Sequence, residues 1–174
     1  VWEHFMRWMA PEADLDARTL EQLAVRYECR VNPVCPMPGA AALLDSLRQR
    51  DFTLGIVSNA QFFTPFLFPA LLGNSLESFA FADDLCVWSY QLREAKPSTR
   101  PYRILVERLR KRGIQPHETL YIGNDMRNDV WPAEDCGLRA ALFAGDGRSL
   151  RPRREDPRSE SRPPSIVLTA LEQV

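Results

Sequence analysis

The stretch "TLYIGNDMRNDV", residues 119–130, decides the fold class of this chain. It begins as a short apolar run, turns at Gly123, and places Asp125 and Asp129 four residues apart. A short apolar run that ends abruptly in polar residues is typical of a buried strand in a parallel sheet. If a helix begins after the glycine, the two carboxylates share one of its faces. The stretch therefore predicts a strand, a turn and a helix, with two acids at the carboxyl end of the strand.

Similar apolar runs occur on both sides of this stretch. "FTLGIVSNA" (residues 52–60) and "RAALFAG" (residues 139–145) also read as buried strands, and "STRPYRILVERLRKRG" (residues 98–113) reads as a helix. Strands and helices alternate from about residue 39 to 145, which predicts an α/β fold, a Rossmann-like parallel sheet flanked by helices. Ligands bind at the carboxyl ends of the strands in such sheets, so the polar residues there are the candidates for function.

The ends of the chain differ from this pattern. Two amphipathic helices are predicted before residue 31, and the breaker-rich stretch that follows them places a domain boundary near residue 35. A short edge strand and a helical turn are predicted after residue 164. The segment 145–164 is rich in arginine and proline and supplies no core, which favours a mobile loop. A phosphate-binding or nucleic-acid-binding patch is the alternative for this segment.

Composition limits the classes of function. The 174 residues suit one domain, or one domain with a small insertion, and 45% of them are apolar. Lysine plus arginine (22) nearly balance aspartate plus glutamate (23), which argues against a nucleic-acid or membrane-surface partner. No stretch resembles a membrane span or a signal peptide. The four cysteines form no CxxC pair and are predicted to be reduced, mostly buried thiols of a cytoplasmic protein.

Three strand ends carry candidate functional residues. Ser58 can donate a hydrogen bond to a phosphoryl oxygen, and Asn59 follows it, although turns alone also favour these residue types. Lys96 precedes a proline and can present a compact positive charge to a phosphate, whereas the alternative is an ordinary surface lysine. Asp125 and Asp129 repel each other unless a cation joins them, and Mg²⁺ prefers such ligands. The alternative is that both acids cap a helix N-terminus.

The order of these residues resembles the haloacid dehalogenase-like (HAD-like) hydrolase superfamily. Its second motif, a strand ending in Ser or Thr, is matched by "LGIVSNA", its third by "KPST" and its fourth by "IGNDMRND". The resemblance covers roughly residues 33–146. It implies a partial helical cap at residues 1–35 and a HAD-like core at residues 36–174.

The resemblance also implies a chemistry. An aspartate nucleophile attacks the phosphorus of a small phosphorylated substrate, and water hydrolyses the aspartyl-phosphate, with a second aspartate as general acid and base. Ser58 and Asn59 would then bind the phosphoryl group and Lys96 would neutralise its charge. Asp125 would hold Mg²⁺, directly or through water, and Asp129 would support it, which favours a phosphatase over a metal-free dehalogenase.

The family's first motif, a strand followed by DxDxT, has a partial look-alike in Asp14-Leu15-Asp16. The threonine is one residue too far along, no buried strand precedes it, and only 44 residues separate Asp14 from Ser58. We therefore expect Asp14 or Asp16 to cap a helix. The chain is then expected to begin inside the cap, to lack the nucleophile strand, to expose unpaired sheet edges and to have no turnover alone.

Several alternatives remain at this stage. A non-catalytic HAD-like interaction or regulatory domain shares the same downstream residues. A phosphoacceptor receiver domain fits less well, because its acidic pair should come first, and a Rossmann dehydrogenase would need a GxGxxG that is absent. The identity of the substrate and the oligomeric state are left open.

Overall fold

A computed structural model of the chain describes residues 2–13 and 15–174. The chain divides into two compact units, Val1–Pro36 and Met37–Val174. The division falls in the breaker-rich stretch where the sequence places a domain boundary, while the assignment of the first unit as a partial cap stays a prediction.

The first unit contains two helices, α1 (Trp2–Met9) and α2 (Ala17–Val31). Asp16 caps α2, because its side chain accepts a hydrogen bond from the backbone N–H of Thr19 at 2.7 Å. Such a bond satisfies one of the orphan donors at a helix start. The capping role predicted for this pair of aspartates is confirmed for Asp16, and Asp14 lies outside the described residues.

The second unit alternates helices and strands as predicted. In chain order its elements are α3 (Ala40–Gln49), β1 (Leu54–Ser58), α4 (Leu67–Leu72), β2 (Phe81–Trp88), α5 (Ser89–Leu92), α6 (Arg100–Lys111), β3 (Leu120–Gly123), a π-helical turn (Met126–Val130), α7 (Trp131–Asp135), β4 (Arg139–Phe143), α8 (Arg158–Ser161) and β5 (Val167–Leu168).

All strand pairing in the second unit is parallel, but the described strands form two sheets. One sheet has the order β1-β2, with Ser58 opposite Trp88 at the carboxyl end. The other has the order β3-β4-β5, with Gly123 opposite Leu142. The α/β class and the parallel pairing are confirmed, and among the described residues no backbone ladder joins β1 to β3.

The core lies between these strands and the helices that cover them. Helix α6 buries one stripe of side chains at helical spacing, namely Tyr102, Leu105, Val106 and Leu109. These residues join one cluster with buried residues of β1, β2, β4 and α7. Such burial of an amphipathic face is the main source of helix stability in a protein of this class.

The arginine-rich segment 145–164 is attached to the rest of the second unit by polar contacts. Asp156 is buried and pairs with Arg127 and Arg158. The indole N–H of Trp131 donates to the carbonyl of Arg162 at 3.0 Å. The mobility predicted from composition stays a prediction, but the segment has packing partners that its composition does not reveal.

Two further expectations concern cysteines and membranes. The four cysteines are free, but Cys29 and Cys35 are exposed, so the prediction of mostly buried thiols is wrong for these two. Cys29 lies in α2 and Cys35 in the proline-rich stretch after it, and both belong to the first unit. Within residues 2–13 and 15–174, every helix is too short or too polar to span a bilayer.

Candidate active site at the strand ends

Lys96 is the centre of the polar cluster at the strand ends. Its ammonium donates to the carbonyl of Val57 at 3.1 Å, to the hydroxyl of Tyr121 at 3.0 Å and to Asp129 Oδ1 at 2.5 Å. Three donors thus meet three acceptors, which is the full capacity of an ammonium group. The contacts come from β1, β3 and the turn after β3, so one side chain connects the two sheets.

Burial and charge act in opposite directions on this lysine. Burial disfavours the ammonium, while the charge and hydrogen bonds of Asp129 and Tyr121 favour it more strongly, so the pKa of Lys96 is raised above its ordinary value. Lys96 is therefore cationic at neutral pH. This largely buried ammonium places a positive charge at the strand ends, and it would have to release one of its three partners to donate directly to a phosphoryl oxygen.

The backbone of Lys96 is held by Asn59. The Asn59 side-chain amide donates to the carbonyl of Lys96 at 3.0 Å, and its oxygen accepts from the Lys96 N–H at 2.7 Å. This two-way bond ties the segment containing Lys96 to the end of β1. The structure thus brings Asn59 and Lys96 together, and the predicted contact of Asn59 with substrate stays a prediction.

Ser58, the last residue of β1, lies between two residues that contact Lys96, namely Val57 and Asn59. Among the residues that the structure describes, its hydroxyl has no hydrogen-bond partner. The hydroxyl of the neighbouring Ser89, by contrast, is engaged with the backbone of Ala60, joining the ends of β1 and β2. Ser58 therefore has a hydroxyl available for a ligand at the strand end.

Asp129 is held from two directions. Its Oδ1 accepts from Lys96 and, at 3.3 Å, from Tyr121, while its Oδ2 accepts from the backbone N–H of Asp125 at 3.0 Å. A side chain on Gly123 would collide with this carboxylate, because a Cβ there would lie 2.6 Å from Oδ2. The glycine in the motif is thus needed for the close approach of Asp129 to β3.

Asp125 is the N-cap of the π-helical turn and is almost fully buried. Its Oδ1 accepts from the backbone N–H groups of Arg127 and Asn128, as the helix-capping alternative predicted. Both of its oxygens also accept from the Arg153 guanidinium, Nε to Oδ1 at 2.9 Å and Nη2 to Oδ2 at 2.5 Å. Burial raises the pKa of Asp125, but the bonds from Arg153, Asn128 and Arg127 outweigh it and lower that pKa overall.

These contacts test whether a magnesium ion fits the predicted pair. Each of the four carboxylate oxygens of Asp125 and Asp129 accepts at least one hydrogen bond from the protein. Within residues 2–13 and 15–174, no three His, Cys, Asp or Glu side chains converge as metal ligands. The two carboxylates have the hard oxygens that Mg²⁺ prefers, but in this arrangement they are occupied by donors and do not fit the ion.

Sequence reasoning missed two residues of the site, Tyr121 and Arg153. Tyr121 bridges the two sheets, since its hydroxyl lies 3.0 Å from the carbonyl of Val57. The signal that could have found it is a polar tip inside an apolar strand. Arg153 carries no local signal, because it is one of several arginines in segment 145–164.

Solved structures show the same fold. A HAD phosphatase from Thermococcus onnurineus matches 99% of this chain and 67% of its own length, at a TM-score of 0.64 and 23% identity. The HAD-hydrolase YfnB from Bacillus subtilis, solved bound to magnesium, also matches 99% of this chain and 68% of its own length, at a TM-score of 0.64 and 23% identity. At these identities the likeness shows the fold alone.

Two curated relatives align over shorter ranges. The rhythmically expressed gene 2 protein of Drosophila melanogaster is 30% identical over 112 residues, 62% of this chain and 40% of the relative. The glyceraldehyde 3-phosphate phosphatase of Methanothermobacter thermautotrophicus is 28% identical over 107 residues, 62% of this chain and 44% of the relative. The chain thus spans less than half the length of both curated relatives.

The family assignment follows from a match over most of the chain. The family model of the haloacid dehalogenase-like hydrolases matches residues 2–137, a range that includes Ser58, Lys96, Asp125 and Asp129. This chain belongs to the haloacid dehalogenase-like hydrolase family.

Proposed function

We propose that the chain is the core part of a phosphohydrolase that acts on a small phosphate ester through an aspartyl-phosphate. The observation that carries this proposal is the position of the Lys96 ammonium, which contacts both the end of β1 and Asp129. One fixed cation at the carboxyl ends of parallel strands, beside a serine hydroxyl, is a site for an anionic oxygen. The similarity to a glyceraldehyde 3-phosphate phosphatase supports a phosphorylated substrate.

Each residue has a distinct role in the proposed reaction. Ser58 donates to a phosphoryl oxygen, and Lys96 neutralises charge on the phosphoryl group and on the nucleophile. Asn59 fixes the backbone of Lys96 and is placed to support phosphoryl binding. Asp129 holds the lysine ammonium in place.

The nucleophile is proposed to come from a strand that the described residues do not supply. No ladder joins β1 to β3, and the space at their carboxyl ends is bridged by the side chains of Lys96 and Tyr121 instead of backbone pairs. A parallel strand between β1 and β3 would unite the two sheets and aim an aspartate at the phosphoryl group beside Lys96. By itself the chain is then proposed to be inactive.

The bond changes in the proposed reaction are those of two successive displacements. A carboxylate oxygen of the nucleophile forms a bond to phosphorus while the ester oxygen leaves and takes a proton from the general acid. Water then attacks the phosphorus of the aspartyl-phosphate and gives a proton to the same group, while the bond from phosphorus to the aspartate oxygen breaks, which restores the carboxylate and releases inorganic phosphate. Magnesium dependence also stays a proposal, because Asp125 and Asp129 are occupied by donors in the arrangement described above.

A non-catalytic interaction or regulatory domain is the second candidate. The observation that favours it is the Arg153–Asp125 pair, which neutralises a carboxylate that a magnesium-dependent hydrolase would use.

A cytoplasmic location and the lack of a nucleic-acid partner are also proposed, on the near balance of charge, with a formal net charge of −1.

Hydrolysis of a phosphate-ester panel tests the proposal. The purified 174-residue chain should show no turnover of p-nitrophenyl phosphate or small sugar phosphates, with or without Mg²⁺. A longer version that carries an upstream DxDxT strand should hydrolyse at least one of them, and Asp125→Asn and Lys96→Met in that version should abolish turnover. Turnover by the 174-residue chain that is lost in Asp14→Asn would overturn the assignment of the nucleophile. An inert longer version, or an upstream sequence without the motif, would favour the interaction domain.

A further inference from the structure

The Arg153 guanidinium covers the Asp125 carboxylate edge to edge. Its Nε and Nη2 each donate to a different oxygen of Asp125, at 2.9 and 2.5 Å. This two-pronged geometry is the strongest form of an arginine–carboxylate contact. The Asp125 side chain is 8% exposed and that of Arg153 27% exposed, so the pair is largely shielded from water.

The chain segment before Arg153 is docked on the same strand end. The N–H of Arg151 donates to the carbonyl of Asn124 at 2.8 Å, and the carbonyl of Arg151 accepts from the N–H of Met126 at 3.0 Å. The side chain of Asn124 donates to the carbonyl of Ser149 at 2.5 Å. Residues 149–151 therefore run as an extra parallel bridge beside Asp125, and they carry Arg153 into place.

Arg153 itself adopts an unusual backbone conformation, with φ of +55°. Residues with a Cβ rarely occupy this left-handed region, and they stay there when the surrounding contacts hold them. The bonds to Asp125 and the bridge at Arg151 are such contacts. A switch of this short segment to an ordinary conformation would withdraw the guanidinium from the carboxylate.

A cation on Asp125 is excluded by this arrangement. Asn128 Nδ2 and the backbone N–H groups of Arg127 and Asn128 already approach Asp125 from the side of the turn. Arg153 donates to both carboxylate oxygens of Asp125 as well, and its positive charge repels a second cation. Arg153 and a metal ion therefore compete for the same two oxygens.

We propose that Arg153 is a built-in counter-ion that keeps divalent cations off Asp125, and that the metal binds when residues 149–153 move away. The proposal concerns the regulation of the site described under the proposed function, and it rests on that function for its biological meaning. The competition between the Arg153 guanidinium and a cation for Asp125 can be measured by metal binding, without any assay of catalysis. Metal affinity is then reduced by the fraction of molecules in which the segment is open.

Manganese binding to the 174-residue chain tests this competition, with Mn²⁺ as a paramagnetic probe for the divalent cation. Arg153→Ala should bind Mn²⁺ at least about tenfold more tightly than the unmodified chain, as expected if the open state is populated to about 10% or less. Arg154→Ala is the matched control, because Arg154 is an exposed neighbour with the same charge. It should leave Mn²⁺ affinity unchanged, and Arg153→Ala combined with Asp125→Asn should remove the gain.

Each outcome supports or overturns the proposal. Equal Mn²⁺ affinity in the unmodified chain and in Arg153→Ala would overturn it, as would an equal gain in Arg154→Ala.

If Arg153→Ala does not fold, the proposal is tested instead by Mn²⁺ binding to Arg153→Lys and by amide exchange in the unmodified chain. The lysine variant should bind Mn²⁺ with intermediate affinity, and saturating Mn²⁺ should speed amide exchange at Arg151 in the unmodified chain; failure of both would overturn the proposal. A further outcome is that an Arg153 variant binds Mn²⁺ tightly while the longer version is inert in the hydrolysis assay. That result would support the competition between Arg153 and the metal and would overturn the proposed phosphohydrolase function.

Discussion

The ammonium of Lys96 lies 2.5 Å from Oδ1 of Asp129, and their side chains are 11% and 6% exposed. The two residues are 33 positions apart and belong to different motifs of the sequence. A buried ion pair of this kind gives little net stability as a pair, but the loss of one partner leaves the other charge buried without compensation. A substitution of either residue alone is therefore expected to lower the free energy of unfolding by more than the pair as a whole contributes to it.

Substitution of Lys96 by methionine is expected to lower the free energy of unfolding by about 3–5 kcal/mol, because the Asp129 carboxylate stays buried without its cation. Urea denaturation at pH 7 measures this change. Adding Asp129→Asn to the same chain should recover part of the loss, since no uncompensated charge remains. Lys111→Met, at the exposed end of α6, is the control and should change stability by less than about 0.5 kcal/mol.

Removal of the Tyr121 hydroxyl should weaken the link between the two sheets. In Tyr121→Phe the carbonyl of Val57 and the Lys96 ammonium each lose a partner at 3.0 Å, and the expected loss is about 1–2 kcal/mol. Tyr90→Phe, at a surface tyrosine, should be near neutral. A loss in Tyr121→Phe no greater than that of the control would mean that water replaces the hydroxyl without penalty.

A methyl group at Gly123 should disturb Asp129. The added Cβ would lie 2.6 Å from Asp129 Oδ2, so the carboxylate must shift away from both Lys96 and the N–H of Asp125. We expect Gly123→Ala to lower stability by about 1–3 kcal/mol, as in other overpacked sites. Gly147→Ala, where the same methyl group meets open space, is the matched control. Equal thermal midpoints for the two variants would contradict the described approach of Asp129 to β3.

Asp156 should make the stability of the chain depend on acid pH. The guanidinium and backbone N–H of Arg158, together with Arg127, hold the pKa of Asp156 well below its ordinary value of 3.8. A lowered pKa in the folded state stabilises the fold above pH 3.8, and this contribution is lost as pH falls further. Asp156→Asn should therefore melt at a lower temperature than the unmodified chain at pH 7.

The difference in melting temperature between Asp156→Asn and the unmodified chain should shrink below pH 3.8. Thermal melts of both chains at pH 7, 5 and 3 measure this difference. Asp83→Asn, at an exposed position of β2, should follow the unmodified chain at every pH. A melting difference between Asp156→Asn and the unmodified chain that does not vary with pH would show that the Asp156 ion pairs do not supply the stability.

The sequence by itself determined the order of helices and strands and the strand ends that precede Asp125 and Asp129 and contain Ser58, whereas Lys96 follows helix α5 and not a strand. This information is local: apolar periodicity, structure breakers and the glycine at position 123 act within a few residues of themselves. The cap at Asp16 could be predicted for the same reason, because the bond it makes reaches three residues along the chain.

The tertiary structure decided which of these residues meet and what occupies them. Three contacts join positions that are distant in the sequence: the Lys96–Asp129 pair, the Tyr121 bond to Val57 and the Arg153–Asp125 pair. The division into two sheets depends on which strands pair. Such contacts form only when the whole core brings the elements together, so no local pattern encodes them. In an arginine-rich segment, only the packed structure distinguishes the Arg153 guanidinium, which reaches Asp125, from the other guanidinium groups of the segment.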